Sequence, residues 1–158
     1  MRVGQGYDAH SFGGTPPVVL AGITVDSERG VIATSDGDVV AHAVTDAVLG
    51  AGALGDLGEW FPSDDPASEG ADSMAILRLA WEEVRQAGFA VSSLDVTVVA
   101  ETVRVAPHRS AMRKALAEAL ELPAAAVSVK ATSTDGLGFV GRDEGIAALA
   151  VAVLEETS

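Results

Sequence analysis

The stretch Asp95-Val96-Thr97-Val98-Val99-Ala100 and the two elements after it decide the fold class. Its β-branched residues predict a strand. Residues 108–120 predict a helix, because Pro107 stands near its start and Pro123 just past its end. Residues 127–131 predict another strand. Strands that alternate with helices indicate the α/β or α+β class, with one sheet backed by helices.

The N-terminal half continues this alternation. Residues 2–7 predict a strand, and residues 18–22 predict its hairpin or sheet neighbour. Residues 38–54 predict a helix, and its apolar positions share one face: Val40, Val44, Ala47, Val48 and Ala51. A second helix is predicted over residues 72–86, where Asp72 is the N-cap and Gly88 lies just past the end.

The remaining segments complete the predicted domain. Residues 55–70 and 135–145 predict loops rich in glycine. Residues 146–154 are apolar at nearly every position, so the periodicity leaves strand and helix equally open there. We therefore expect residues 1–158 to form a single domain with a ferredoxin-like alternation of strands and helices.

The composition excludes several classes of protein. The chain contains no cysteine, which excludes disulfides, thiolate catalysis and cysteine zinc fingers. Its net charge of −13 argues against a nucleic-acid partner, because such binding needs a broad basic surface. No apolar run reaches the roughly 20 residues of a membrane helix, so we expect a cytoplasmic protein with no membrane partner. A small anionic substrate stays open, since a divalent metal can supply local positive charge.

Two of the three histidines are candidate metal ligands. Side chains alternate along a strand, so Asp8 and His10 point to one face if the first strand extends to them. His42 lies in a helical stripe with Asp38 and Asp46, each four residues apart. Two histidines, one carboxylate and an open fourth position are typical of catalytic zinc. Asp46 would then orient His42 from behind.

Other interpretations of these residues stay open at this point. Asp8 and His10 can form a simple hydrogen bond at a strand end, and the helical stripe can be a solvated face. Asp36 and Asp38 can serve only as helix caps. The hydroxyls and glycines of residues 130–139 permit close approach to phosphate, with Asp135 as a ligand for Mg²⁺, or they form an ordinary turn. The pair Gly4 and Gly6 is too short a signal for a dinucleotide site.

Taken together, the motifs resemble the 2-C-methyl-D-erythritol 2,4-cyclodiphosphate synthase family over nearly the whole chain, in family order and spacing. In chain order they are Gly4-x-Gly6-x-Asp8-x-His10 with Phe12-Gly13, Ser35-Asp36-Gly37-Asp38 with His42, Asp46-Ala47, Leu49-Gly50-Ala51, Gly55-Asp56-Leu57-Gly58, Phe61-Pro62, Asp65-Pro66, Gly70-Ala71-Asp72-Ser73, Pro107-His108, Met112-Arg113, Val129-Lys130-Ala131-Thr132, Gly136-Leu137-Gly138-Phe139, and Gly141-Arg142 with Glu144-Gly145.

The resemblance implies a reaction and its cofactors. The 2-phosphate of 4-diphosphocytidyl-2-C-methyl-D-erythritol 2-phosphate attacks the β-phosphorus, releases CMP and closes the cyclic diphosphate, a step of the non-mevalonate isoprenoid pathway. One Zn²⁺ per chain is implied at Asp8, His10 and His42, and Mg²⁺ or Mn²⁺ at Asp135. Two rival functions stay open, a zinc-dependent phosphohydrolase and a non-catalytic module that binds isoprenoid phosphates.

The resemblance also implies the site residues. Catalytic roles are implied at Thr34 and Ser133. Substrate contacts are implied at Asp8, Ala9, His10, Thr34, Ser35, Asp56, Leu57, Gly58, Phe61, Pro62, Ser63, Asp64, Asp65, Ala100, Glu101, Thr102, Val103, Arg104, Val105, Ala106, Ala131, Thr132, Ser133, Thr134, Asp135, Phe139 and Arg142. The family forms homotrimers with active sites shared between neighbours and a central channel that can hold an isoprenoid diphosphate. We expect the same assembly here.

The chain departs from the family at several of these positions. The family commonly has His at the position of Thr34, which carries a hydroxyl but no charge. Ser133 replaces Thr, and Asp135 replaces the longer Glu. The remaining departures are Val103 for Pro, Arg104 for Lys and Asp143 for Gly. The three implied zinc ligands are intact, so the departures concern rate and affinity.

Overall fold

A computed structural model describes residues 1–157 and contains one mixed four-stranded sheet. Its strands are β1 (Arg2–Ser11), β4 (Phe89–Val99), β5 (Val127–Thr132) and β6 (Gly145–Glu156). Their order across the sheet is β1-β6-β4-β5. Strand β6 is antiparallel to both β1 and β4, and β5 is parallel to β4.

A separate two-stranded sheet lies beside the large one. It consists of β2 (Val18–Leu20) and β3 (Ile23–Asp26), which pair with each other. The prediction that residues 18–22 pair with the first strand is therefore wrong. Strand β1 takes its hydrogen-bonded neighbour from β6 at the other end of the chain.

Helices cover one face of the large sheet. They are α1 (Val39–Gly52), α3 (Ser73–Gln86) and α4 (Arg109–Ala119), and two short helices, α2 (Leu57–Trp60) and α5 (Gly138–Gly141), lie in the regions predicted as loops. A further 3₁₀ turn, Pro66–Ser68, comes after α2. Helix α1 packs on β1 and β6, and α3 packs on α1. No helix within residues 1–157 is long and apolar enough to cross a membrane.

The expected fold class is thus confirmed as a mixed sheet backed by helices, but its topology is only partly ferredoxin-like. Strands β1 and β4 run parallel with β6 inserted between them, which is the split βαβ arrangement. Strands β4 and β5 are instead adjacent and parallel, and α4 connects them as an ordinary βαβ unit.

Two glycines of β1 set the distance between the sheet and α1. A Cβ atom at Gly4 would lie 2.0 Å from the carbonyl oxygen of Ala47, and one at Gly6 would lie 1.8 Å from that of Ala43. Only glycine lets the helix backbone approach the strand this closely. The Gly4-x-Gly6 pair therefore serves helix packing, and it brings the first turns of α1 over the following residues of β1.

The segment 146–154, for which periodicity leaves two possibilities, lies in the central strand β6. Its helix-facing side chains are fully buried: Ile146, Ala148, Ala150, Ala152 and Leu154. Its opposite face carries Leu149, Val151 and Val153, and the neighbouring β1 carries Val3 and Tyr7 there. Val3 is 62% exposed and Tyr7 is 54% exposed. Along β6 and at Val3 and Tyr7 this second face is apolar, whereas β4 and β5 carry polar side chains there, among them Asp95 and Lys130. The face is left uncovered within the described chain.

Candidate metal centre and active site

Three side chains converge where β1 meets α1. Asp8 and His10 lie two residues apart on β1 and both face the helix, as the alternation predicts. His42 lies in the first turn of α1, which Asp38 caps by accepting hydrogen bonds from Val40 N and Ala41 N. Within residues 1–157, Asp8, His10 and His42 form the one group of three potential metal ligands.

The geometry of this group fits a metal ion. Asp8 Oδ2 lies 3.1 Å from His10 Nε2 and 2.9 Å from His42 Nδ1. The two histidine nitrogens are 3.4 Å apart. Donor atoms held at about 2.0–2.1 Å in a tetrahedral zinc site stand roughly 3.3 Å from one another. Three such atoms therefore fit around one zinc with the fourth position left for substrate.

The group is electrostatically coupled. Burial raises the pKa of the Asp8 carboxyl, but hydrogen bonds and charge from His10 and His42 outweigh burial and lower that pKa to about 2. Burial lowers the pKa of His42, but the hydrogen bond and charge of Asp8 outweigh it and raise that pKa above its usual value. The Asp8 carboxylate thus favours positive charge beside it, which a bound metal ion would supply.

The residues that orient His42 differ from the prediction. Asp46 accepts a hydrogen bond from Leu57 N at 2.8 Å and has no hydrogen bond to His42 among the described residues. His42 Nε2 instead lies 2.8 Å from Ser73 Oγ and 3.2 Å from Ser35 Oγ. Ser73 in turn donates its hydroxyl proton to Asp36. The N-cap of α1 is Asp38 rather than Asp36. Sequence reasoning gave Ser73 no role at this site, although the residue follows the N-cap Asp72 and ends the motif Gly70-Ala71-Asp72-Ser73.

A cavity opens in front of the three ligands. Its lining is Asp8, His10, Ala33, Thr34, Ser35, His42, Leu57, Phe61, Ser63, Ser68 and Ile76. Asp64 and Asp65 line a neighbouring groove that shares Thr34 and Ser63 with the cavity. Besides the ligands, the structure thus brings five of the implied residues to the cavity and two to the groove beside it. The five are Thr34, Ser35, Leu57, Phe61 and Ser63, and the two are Asp64 and Asp65.

Some implied neighbours do not face this cavity. The side chain of Ala9 lies on the opposite face of β1 from Asp8 and His10. Asp56 caps α2 through Glu59 N. Gly58 and Pro62 are exposed but do not contribute to the cavity lining within the described chain.

The residues implied for the cytidine form a second group, at the ends of β4 and β5. Ala100 N donates to Thr132 O at 3.0 Å, and Thr134 N donates to Glu101 Oε2 at 3.4 Å. Three of these residues, Ala100, Val103 and Val105, bury their side chains in the core, whereas Arg104, Ala106, Ala131, Thr132 and Ser133 are exposed. In the described chain the lining of the metal cavity includes no residue of this second group.

The loop after β5 holds the remaining implied residues. Asp135 is exposed, with φ of 52°, and accepts from Ser133 Oγ at 3.2 Å. Arg142 pairs with Glu144 at 2.8 Å, and Phe139 is exposed. Within residues 1–157, Asp135 belongs to no group of three potential ligands.

Asp143 connects this loop to the second group. Its carboxylate accepts from Arg29 Nη1 at 2.9 Å and from Thr102 Oγ1 at 2.9 Å. Its φ of 55° lies in the left-handed region, which favours glycine but which aspartate tolerates better than most residues. Aspartate in place of the family's glycine is therefore less suited to this backbone conformation, but its carboxylate adds hydrogen bonds to Arg29 and Thr102.

Comparison with known proteins gives concordant matches. Residues 1–155 match the model of the YgbB family. The chain is 52% identical over 154 residues to the 2-C-methyl-D-erythritol 2,4-cyclodiphosphate synthase of Serratia proteamaculans, and the match covers 98% of each chain.

Solved structures share the fold. The bifunctional IspDF from Campylobacter jejuni superposes with a TM-score of 0.96 at 41% identity, over 99% of this chain. The chain spans 42% of the length of that bifunctional protein. IspF of Plasmodium falciparum, in a complex with CDP, superposes with a TM-score of 0.86 at 26% identity, over 99% of this chain and 97% of that chain.

Proposed function

This chain belongs to the YgbB family and catalyses formation of 2-C-methyl-D-erythritol 2,4-cyclodiphosphate, and we propose how its residues do so. The substrate is 4-diphosphocytidyl-2-C-methyl-D-erythritol 2-phosphate. An oxygen of its 2-phosphate forms a bond to the β-phosphorus, the bond from that phosphorus to the α,β-bridging oxygen breaks, and CMP leaves. The reaction is a phosphorus–oxygen lyase step in isoprenoid precursor synthesis.

One observation carries this proposal: three potential ligand atoms meet at one wall of the cavity, namely Asp8 Oδ2, His10 Nε2 and His42 Nδ1. We propose that these three atoms hold one Zn²⁺ per chain. When bound, the ion supplies positive charge and Lewis acidity for the phosphate groups. The absence of cysteine is consistent with this oxygen and nitrogen donor set.

The other residues of the site position the substrate. Thr34, Ser35 and Ser63 present hydroxyl groups at the cavity, where they can donate hydrogen bonds to phosphate oxygens. Phe61 and Leu57 would cover the apolar part of the erythritol. No general base is needed, because a phosphate monoester near pH 7 is largely a dianion. Rate enhancement then comes from holding the two phosphates together.

The separation of the site residues into two groups supports an active site shared between copies. We propose a homotrimer in which the metal cavity of one copy meets the second group, residues 100–106 and 131–135, of its neighbour. Asp135 would there hold Mg²⁺ or Mn²⁺, and Arg142 would contact phosphate. The cytidine of the substrate would bind this second group, in keeping with the CDP bound to the Plasmodium falciparum relative.

The uncovered face of the sheet supports the same assembly. Val3, Tyr7 and Val151 expose apolar surface that a monomer would leave in water. Three such faces around an axis would bury it and enclose an apolar channel, for which an isoprenoid diphosphate is the proposed ligand. We further propose that residues 1–158 act as one catalytic domain. We also propose that the enzyme works in the cytoplasm, because a substrate with this many charges does not cross a membrane unaided.

Product analysis tests the proposed function. The enzyme is incubated with the cytidyl substrate, Zn²⁺ and Mg²⁺, and products are identified by mass. Cyclisation yields CMP and the cyclic diphosphate in equal amounts with no inorganic phosphate. A phosphohydrolase would release inorganic phosphate or an open-chain product instead. A binding module would yield no product although the substrate binds, and either of these results would refute the proposal.

A further inference from the structure

Ser73 and Asp36 make a hydrogen-bond network behind His42 that the expected reaction does not by itself require. Ser73 is the first residue of α3 and is fully buried. Its Oγ lies 2.8 Å from His42 Nε2 and donates to Asp36 Oδ1. Asp36 lies just before α1, so the network joins the starts of the two helices behind the metal group.

The direction of each hydrogen bond follows from the donors available. Asp36 is surrounded by donors, because it also accepts from Ser73 N at 3.1 Å and from Asp38 N at 3.2 Å. The single hydroxyl proton of Ser73 therefore goes to Asp36, and Ser73 Oγ is left with lone pairs only. His42 Nε2 then carries a proton and donates it to Ser73 Oγ at 2.8 Å, the nearer of its two hydroxyl partners, since Ser35 Oγ lies 3.2 Å away. The neutral imidazole has one such proton, so Nδ1 is unprotonated.

This arrangement aims the free nitrogen at the metal group. His42 Nδ1 is the atom that lies 2.9 Å from Asp8 Oδ2 and 3.4 Å from His10 Nε2. We propose that Ser73 and Asp36 are positioning residues, which fix both the ring orientation and the tautomer of His42 so that Nδ1 is the metal ligand. This inference rests on the metal site of the proposed function.

The same network also connects the metal group to the loop at the cavity mouth. Asp36 N donates to Ala71 O at 3.1 Å, and Gly70 N donates to Thr34 O at 2.8 Å. The end of the loop formed by residues 61–71 is thus tied to the segment that carries Thr34. These loop contacts are made by backbone atoms, which substitutions at Asp36 and Ser73 keep, so both variants report on the side-chain network behind His42.

The test measures zinc affinity without substrate. Zinc-loaded wild-type enzyme and Ser73→Ala are titrated with a chromophoric chelator, and circular dichroism confirms that each is folded. Residues that hydrogen-bond the non-ligating nitrogen of a metal-bound histidine typically contribute about 10–100-fold to metal affinity. We therefore expect zinc affinity to fall by roughly that factor in Ser73→Ala. Ser73→Thr, which keeps the hydroxyl, should recover most of it. The Co²⁺-substituted variants should show a matching change in the visible spectrum.

Asp46→Ala is the matched control. It removes a carboxylate four residues after His42 on the same helix, but one that bonds Leu57 N. We expect its zinc affinity to stay within about threefold of wild type, since no hydrogen bond to His42 is lost. Equal affinity of Ser73→Ala and wild type, or equal losses in Ser73→Ala and Asp46→Ala, would overturn the inference.

Two further outcomes are distinguishable. If Ser73→Ala does not fold, Asp36→Asn carries the same test, because an amide at a position surrounded by donors cannot accept all of them. Wild-type affinity in Asp36→Asn would overturn the inference. Wild-type enzyme that binds no zinc at all would instead refute the metal site of the proposed function.

Discussion

Replacing Gly6 with alanine should move the metal ligands apart although none of the ligands is itself substituted. The added Cβ would lie 1.8 Å from the carbonyl oxygen of Ala43, a backbone atom that no side-chain rotation can remove. Carbon and oxygen need roughly 3.2 Å or more, so α1 must retreat from β1 by about 1.4 Å. His42 moves with α1, whereas Asp8 and His10 stay on β1.

The consequence for the metal follows from the ligand distances. Asp8 Oδ2 and His42 Nδ1 are 2.9 Å apart, and a retreat of that size takes them to about 4 Å or beyond. Donors around zinc stand only roughly 3.3 Å apart, so zinc affinity should fall by about 100-fold or more. Overpacking of this kind also destabilises folds by about 1–3 kcal/mol or more. The assay combines chelator titration of zinc with thermal unfolding of the metal-free protein.

Gly50→Ala is the control for this experiment. Gly50 lies in the same helix, and a Cβ there meets no atom within 4 Å. Alanine at an unhindered helical position should stabilise the protein by roughly 0.5–1 kcal/mol and leave zinc binding unchanged. Wild-type zinc affinity in Gly6→Ala would refute the reasoning that the glycines set the ligand geometry.

The same site supports four further predictions. Zinc affinity should fall by roughly tenfold per pH unit below the raised pKa of His42, because a proton on His42 competes with the metal. Asp8, with a pKa of about 2, stays ionised over this range. Chelator titration from about pH 8 to about pH 5.5 measures the change in affinity. Stability of the metal-free protein should change in the opposite sense, because the contribution of the His42–Asp8 pair is fully present below about pH 6.5 and is lost as pH rises through the folded pKa of His42. Thr34→His should raise turnover on the order of 10²-fold if a donor there stabilises the transition state, and an unchanged rate would mean that another group already does so. Co-expressed Asp8→Ala and Arg104→Ala chains should recover about a quarter of wild-type activity if sites are shared in a ring, and none if each site lies within one chain.

Local signals in the sequence predict most of the secondary structure. Helix α1 is predictable because Asp38 is a capping residue directly before a run of apolar residues, and the N-cap is found at Asp38. Strand β6 cannot be assigned from its own residues, because a strand that is apolar on both faces has the same pattern as a buried helix. Its pairing with both β1 and β4 decides the matter, and that pairing is tertiary.

The candidate site is predictable from the sequence only where one element holds the residues concerned. Alternation along the strand places Asp8 and His10 on one face. The helix pattern points to Asp46 as the partner of His42, because periodicity relates only residues on one element. The actual partner, Ser73, is 31 residues away on another helix. The role of Gly6 is hidden for the same reason, since its close approach to α1 depends on how two elements pack.

The most direct test of the zinc site is metal analysis of enzyme purified without added metal, beside the variant His42→Ala. We expect about one zinc per chain in the wild type. We expect little zinc and little cyclic diphosphate from His42→Ala, because two remaining ligands hold the ion poorly. Full zinc retention in His42→Ala would show that the ion does not bind at Asp8, His10 and His42, and it would contradict the assignment of the metal site.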